Sequence, residues 1–373
     1  MRNPFNYLQF AKGDYFYDRK EILHDLKSRF LSGQTNVVLY GPRRYGKSSL
    51  VAELASALEA EGLICITFDM IKMATLELFV EAYATKVYRR LAPLRLGLRQ
   101  TADFFKHLRP NVSLSSEGEL SFSVNSIEAS ISLDALSEVL DLPQRLSEDR
   151  RILIIMDEFQ EVDSLLPKRG FESVMRSVIQ THDNVSYIFL GSRHHMLRRM
   201  FTDHNRPFYK SALTMLLDKP PLQESVDFVC GRFASCGIAI SEEDAQTLVE
   251  KVENIPYYIQ QLGFEVFRLV EDEGRKRVAT EDVNAAYARL AGFNRDQYEQ
   301  LMLTFSMAQK QLLIALAREQ TQRFDLNYRK RHGLGASSTI NSAKQKLIED
   351  GHLEQVGEKC YHSDPFFAEY LRQ

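Results

Sequence analysis

The chain has 373 residues, enough for two or three domains, and its 44% hydrophobic and 26% charged content is that of an ordinary globular protein. A formal net charge of −3 gives no global reason to expect nucleic acid or an anionic surface as a partner, and the absence of any uncharged apolar run of about 18 residues excludes a helical membrane span. The four cysteines, Cys65, Cys230, Cys236 and Cys360, form no C-x-x-C pair, and Met1 to Tyr7 carry no apolar signal core, so reduced thiols and a cytoplasmic setting are expected rather than zinc, disulfides or export.

The first 18 residues are rich in aromatics (Phe5, Tyr7, Phe10, Tyr15, Phe16 and Tyr17), which are expected to pack a following helix onto a sheet. That helix opens at Asp18-Arg19-Lys20-Glu21, turns Ile22, Leu23, Leu26, Phe30 and Leu31 inward, and has Gly33 in place as a C-terminal cap. Asn36 to Tyr40 is a short β-branched apolar run, as a buried parallel strand requires. Gly41-Pro42-Arg43-Arg44-Tyr45-Gly46-Lys47-Ser48 then fits G-x-x-x-x-G-K-[ST], and Ser49 to Leu58 continues with apolar residues at helical spacing. Strand, glycine loop and helix in that order mark a phosphate-binding loop. Gly41 and Gly46 allow a tight turn that brings backbone N–H groups to phosphate oxygens, and the helix dipole points at the same anion. Lys47 is expected at the β- and γ-phosphates of ATP and Ser48 at Mg²⁺.

Leu63 to Asp69 reads as a second strand and Thr75 to Leu91 as a long helix. Residues 111–125 alternate apolar and polar around Ser-Glu-Gly, which predicts a β-hairpin inserted in the nucleotide domain, followed by a helix near 133–147. Arg151 to Met156 is a strand buried on both faces with Asp157 and Glu158 at its C-terminal end, where ligands of open α/β sheets bind. Asp157 is the candidate acid for Mg²⁺, and Glu158 the candidate to orient and polarise the attacking water. The next buried strand, Val185 to Leu190, ends in Gly191-Ser192-Arg193. Ser192 is placed to bond the γ-phosphate or the water, and Arg193 either to stabilise γ-phosphate charge or to begin a basic surface stretch. Ala212 to Leu217 is a fifth strand.

Lys219-Pro220-Pro221 marks a boundary, beyond which the pattern is helical: 223–236, 241–253, 257–272 and 280–290, with Ser241 and Thr280 as N-caps. Helices at 307–319 and 336–350 and a strand-turn-strand at 351–362 form a winged-helix pattern, closed by a short helix from Pro365. The expected domains are therefore 1–218 for nucleotide, 219–295 as a helical lid and 296–373 as a winged helix. Residues 318–346 hold seven Lys or Arg against two acids, a local basic stripe that suits duplex DNA. The wing and tail carry Glu349, Asp350, Glu354, Glu358, Asp364 and Glu369, and a wing meant for phosphates is usually basic. Packing on the ATPase core or on a partner protein stays open beside DNA.

Gly-Pro-Arg-Arg-Tyr-Gly-Lys-Ser-Ser at 41–49, Asp-Glu-Phe-Gln at 157–160, Gly-Ser-Arg at 191–193 and Asp-Pro-Phe-Phe at 364–367 together resemble the prokaryotic AAA+/STAND-type ATPases of the archaeal ATPase family, over nearly the whole chain. The resemblance implies an α/β P-loop NTPase domain with a helical lid and a C-terminal winged helix, working as a Mg²⁺-dependent ATP switch. It implies that Tyr17-Asp18-Arg19 is the aromatic-x-Arg entry near the adenine. It also implies that Asn254-Ile255-Pro256 is the lid motif over the nucleotide, with Asn254 where glycine is usual. Two rivals remain: a DNA-binding regulator that binds nucleotide with little turnover, and a partner-binding or self-associating scaffold. Arg43 and Arg44 stay open between an arginine finger and local charge partners.

Overall fold

The computed structural model describes residues 2–8, 13–17, 19–91, 111–114, 120–123, 131–164, 170–321, 324–356 and 359–373. The chain divides into two compact units: a sheet unit of Lys20–Gly41 with Lys47–Leu217, and a helical unit of Met1–Arg19, Pro42–Gly46 and Asp218–Gln373.

In the sheet unit the strands are β1 (Asn36–Tyr40), β2 (Ile64–Asp69), β3 (Asn111–Leu114), β4 (Leu120–Ser123), β5 (Ile152–Asp157), β6 (Val185–Gly191) and β7 (Leu213–Leu216). The five-stranded sheet runs β2-β5-β6-β1-β7 and all its pairings are parallel. β5 and β6 are buried along nearly their whole length and occupy inner positions, because a strand covered on both faces has no polar side to show. β6 lies between β1 and β5, with Tyr40 level with Gly191 and Met156 level with Phe189. The strand tips that carry residues 41, 157–158 and 191–192 thus lie side by side at the C-terminal edge of the sheet. The predicted hairpin is present as antiparallel β3–β4, with Asn111 opposite Ser123 and Leu114 opposite Leu120. Its turn, 115–119, and residues 124–125 lie outside the described residues.

Helix Lys20–Ser32 does not end on Gly33 in a left-handed turn. Its last carbonyls are capped by the Arg151 guanidinium, which donates to Phe30 O and, at 2.8 Å, to Leu31 O. The turn after β5, Phe159–Ser164, is braced by Arg206. Its guanidinium bonds Asp163 at 3.0 Å and forks onto Glu172, which is 1% exposed on helix Gly170–Ile179.

The helical unit contains helices Leu222–Ala234, Glu242–Lys251, Pro256–Asp272 and Thr280–Phe293. Ser241 caps as expected, accepting from Asp244 N. At the next helix the cap falls one residue earlier than Thr280: Asp282 reaches back to Ala279 N at 2.8 Å and is itself held by Arg275. A further helix, Arg295–Thr304, joins this region to the winged helix. Among the described N-terminal aromatics, four pack within the helical unit; Phe10 lies outside the described residues. Phe5 packs edge-on to Phe228 and Phe233, Tyr7 meets Tyr257 and Phe264, Tyr17 stacks on Phe228 at 3.9 Å, and Arg232 lies over Tyr15 and donates to Pro4 O. Helices Leu222–Ala234 and Pro256–Asp272 supply the aromatic and apolar surface that these side chains cover.

The winged helix is built from helices Met307–Arg318, Leu326–Arg331 and Ser337–Glu349, the hairpin β8 (Leu353–Val356) and β9 (Lys359–His362), and helix Pro365–Arg372. Its core includes Leu312, Leu313, Leu347 and Phe366. Among the described residues all four cysteines are free thiols, and no helix is long and apolar enough to cross a membrane.

Candidate functional site

The two glycines of the phosphate-binding loop are required for different reasons. Gly46 has φ +85°, a left-handed backbone that suits glycine. Gly41 is in an ordinary region, but a Cβ there would stand 2.4 Å from Leu217 O, where the chain leaving β7 donates Leu217 N to Tyr40 O. The neighbouring chain therefore leaves no room for a side chain at Gly41. Between them, Pro42–Gly46 belong to the helical unit. Arg43 is exposed, Ser49 is half-buried and Tyr45 is 1% exposed.

In the sheet unit, Lys47 is buried and its ammonium donates to Gly41 O at 2.8 Å, bridging the start and end of the loop. The Ser48 hydroxyl donates to Asp157 Oδ2 at 3.1 Å, so the two predicted metal ligands are adjacent. Asp157 also accepts from Glu158 N at 2.9 Å. Burial raises the Asp157 pKa above the usual carboxylate value, and the neighbouring Glu158 charge adds to this. The hydrogen bonds and Lys47 offset it only in part.

Glu158 has φ +52°, which turns its side chain back toward the tip of β6. Its Oε2 accepts from Ser192 N at 3.1 Å, Ser192 Oγ at 2.9 Å and Gln160 Nε2 at 2.5 Å. Burial pushes the Glu158 pKa up, but these donors and Lys47 together outweigh it and hold it below the usual range. Among the described residues all three bonds go to Oε2 and none to Oε1. Gln160 is 1% exposed and reaches this position because Gly191 has no side chain: a Cβ there would overlap Gln160 Oε1. Sequence reasoning quoted Gln160 only within a motif and gave it no role.

Ser192 is thus a partner of Glu158 in this structure, and Arg193 is half-exposed with its guanidinium 3.8 Å from Glu161. In the helical unit, Arg19 is buried, with φ +66°, and donates to Tyr45 O at 2.8 Å and Asp218 O at 2.9 Å; Asp18 lies outside the described residues. Pro256 is the first residue of helix Pro256–Asp272. Asn254 before it has φ +53°, which explains why glycine suits that position and why asparagine is tolerated there; its amide donates to Pro220 O at 2.7 Å. Arg44 is a local charge partner: its guanidinium lies over Tyr257 and Tyr258, 3.5 Å from Asp364.

No curated protein matches the chain. Among solved structures, it is similar over 99% of its length, and 100% of the other chain, to a Walker-type ATPase of Pyrococcus abyssi, at 20% identity and a TM-score of 0.66. It is similar over 99% of its length and 96% of theirs to the Aeropyrum pernix ORC2 protein in ADPNP-ADP complexes (13% identity, TM-score 0.60) and ORC1 protein in complex with DNA (15%, 0.54). At these identities the likeness is one of fold: a P-loop parallel α/β sheet with helical elements and a C-terminal winged helix. Residues 296–373 match a probable winged helix domain, and residues 16–262 match an ATPase domain predominantly from Archaea. The chain belongs to that archaeal-type ATPase family.

Proposed function

We propose that the chain is a Mg²⁺-dependent ATPase used as a conformational switch. The observation that carries this reading is the pairing at the sheet edge: Ser48 on Asp157, and Glu158 beside them on Ser192 and Gln160. Ser48 Oγ and Asp157 Oδ2 are hard oxygen donors, and Asp157 is a partly buried anion beside a second carboxylate, so the donor set fits Mg²⁺. When bound, Mg²⁺ supplies charge neutralisation for the phosphate oxygens. Lys47 carries the positive charge for the β- and γ-phosphates. Glu158, ionised at neutral pH, accepts a hydrogen bond from water and aligns its oxygen with the γ-phosphorus; the new O–P bond forms as the bond to the β–γ bridging oxygen breaks, leaving ADP and phosphate, with one water proton kept by the phosphate and the other passed through Glu158 to solvent. Ser192 shares Glu158 and the γ-phosphate end of the site, so nucleotide state is read by which of them it bonds. Purified protein with Mg²⁺ is expected to release phosphate from ATP, and Lys47→Ala to reduce release to background. Release by Lys47→Ala at the wild-type rate would remove this assignment, and no release by the wild type would remove hydrolysis.

A second reading, duplex DNA on the winged helix, is favoured by one surface. Helix Ser337–Glu349 exposes Ser337, Ser338, Asn341, Ser342 and Gln345, uncharged donors and acceptors of the kind that read base edges, and Lys330 is exposed nearby. Part of the basic stripe is already paired: Arg331 bonds Glu319 at 2.6 Å and Lys346 bonds Asp350 at 3.0 Å. Mobility shift of a duplex is expected to weaken with salt, Lys330→Ala to lower the salt slope by about one, and Asn341→Ala to lose discrimination between sequences. No shift at low salt would exclude the reading.

A further inference from the structure

Resting on the nucleotide-binding reading above, we infer that two winged-helix carboxylates, Glu354 and Asp364, are positioning residues for the phosphate-binding loop, which they hold through Tyr45 and Arg44. Neither acid touches the reacting atoms; both act on the loop that does.

Tyr45 stands at the last variable position of the loop motif, where the side chain has no part in phosphate binding. Its ring is buried in the apolar cluster of the helical unit, and its hydroxyl donates to Glu354 Oε2 at 2.9 Å. Glu354, on β8, is 8% exposed. Burial and the Glu354 charge both push the Tyr45 phenol well up, so it stays a donor at any physiological pH. Beside it, the Arg44 guanidinium lies 5.0 Å from the centre of the Tyr257 ring and 4.7 Å from that of Tyr258, and 3.5 Å from Asp364 Oδ2. The Arg44 carbonyl accepts from Tyr257 N at 3.4 Å. Asp364 is not a mobile surface acid: it caps helix Pro365–Arg372 through Phe366 N and Phe367 N and accepts from Tyr298 Oη at 3.3 Å.

The consequence lies in the loop backbone. Arg44 has φ +69° and Gly46 φ +85°, so the residues on both sides of Tyr45 are left-handed. A non-glycine residue holds that conformation only where its surroundings over-determine it. The two carboxylates and the tyrosine pair supply those surroundings, and a loop already bent binds phosphate without the cost of bending it. Binding is then coupled to winged-helix docking, and the coupling is reciprocal: whatever pulls Glu354 and Asp364 away loosens nucleotide, and nucleotide holds the winged helix in place. It also gives Glu354 and Asp364, two of the acids of the wing and tail, a role toward the loop.

The test uses the full chain with Tyr45→Phe, Glu354→Met and the double variant, a fluorescent ADP analogue for affinity and off-rate, and steady-state ATP turnover. Each single variant is expected to bind the analogue five- to tenfold more weakly, mainly through a faster off-rate. KM should rise in step while kcat stays within twofold, and the double variant should be no worse than either single. Unchanged affinity in both singles, or a double variant showing the product of the two effects, overturns the inference. If Glu354→Met does not fold, Asp364→Asn keeps the helix cap, removes the charge facing Arg44 and carries the same expectation. Amide exchange over residues 41–49 in nucleotide-free protein separates this from the function reading. If the wild type binds no nucleotide, the function reading falls, while at least fivefold faster exchange in Tyr45→Phe still supports the hold on the loop and unchanged exchange removes it.

Discussion

Glu158→Gln is expected to lower kcat for ATP by about 10²- to 10⁴-fold, the usual range for losing a positioned acid–base group, with nucleotide affinity within threefold of wild type. Glutamine has the same shape, and its amide oxygen can still accept from Ser192 N and Ser192 Oγ, so the tip of β6 keeps its partner. What is lost is the negative charge that polarises water. Phosphate release in a single turnover separates this from a binding defect: the variant should bind ATP and hold it. Turnover within threefold of wild type would show that Glu158 does not do this. Glu158 itself brings no acid limb to the pH profile near neutrality. Burial acts to raise its pKa, but the Gln160 and Ser192 hydrogen bonds and Lys47 bring it below the ordinary glutamate value of 4.5, so the carboxylate stays charged through neutrality. Any acid limb of wild-type kcat is therefore expected from Asp157, whose pKa burial raises, and not from Glu158. A limb centred near pH 6–7 would point to a group other than Glu158.

The sheet was legible where burial is complete. β1, β5 and β6 are mainly apolar because parallel strands covered on both faces leave no regular polar alternation, and the polar residues that end them mark the edge where chemistry collects. That is why Lys47, Ser48, Asp157, Glu158 and Ser192 could be named from sequence and lie together in one unit. What was not legible depends on partners far along the chain. Tyr45 occupies an unrestricted position in its motif, and nothing local says that its ring is buried or that Glu354, 309 residues on, accepts a hydrogen bond from its hydroxyl. Phe5, Tyr7 and Tyr17 look like sheet-packing aromatics, yet their rings meet Phe233, Phe264 and Phe228, more than 200 positions on. Gly33 matches a cap by type, yet the carbonyls it would serve are taken by Arg151, a residue read only as the start of a strand. Gln160 carried a usable signal: an uncharged amide two residues past an acidic pair, too polar to be buried without a specific partner. Glycine at 191 was the other half of that signal, since a side chain there would have closed the space.

Arg206→Ala is expected to destabilise the protein by about 3 kcal/mol at pH 8, near the lower end of what breaking a buried ion pair costs, because Arg206 itself is 23% exposed while Glu172 is 1% exposed. The loss is not of attraction alone. It leaves Glu172, and beside it Asp163, charged without the guanidinium that both now share. The pH dependence gives the test its sign. Burial raises the Glu172 pKa above 4.5 and outweighs the opposing charge and hydrogen bonds of Arg206. A group whose pKa is raised on folding contributes stability that is present below its unfolded value and is lost as pH rises through its folded value. Removing Arg206 raises that folded value further. The variant's deficit should therefore be full at pH 8 and shrink as the pH falls, since Glu172 takes up its proton in the folded state ahead of the unfolded chain, as read by urea unfolding at pH 8 and pH 5. Glu172→Gln added to Arg206→Met should recover most of the loss by removing the buried charge altogether. A deficit equal at both pH values would mean that Arg206 acts by packing its stem and not by holding the acids. Because Asp163 lies in the turn that carries Gln160, the variant at pH 8 should also lose kcat before it loses nucleotide affinity, as Glu158 gives up its nearest side-chain amide.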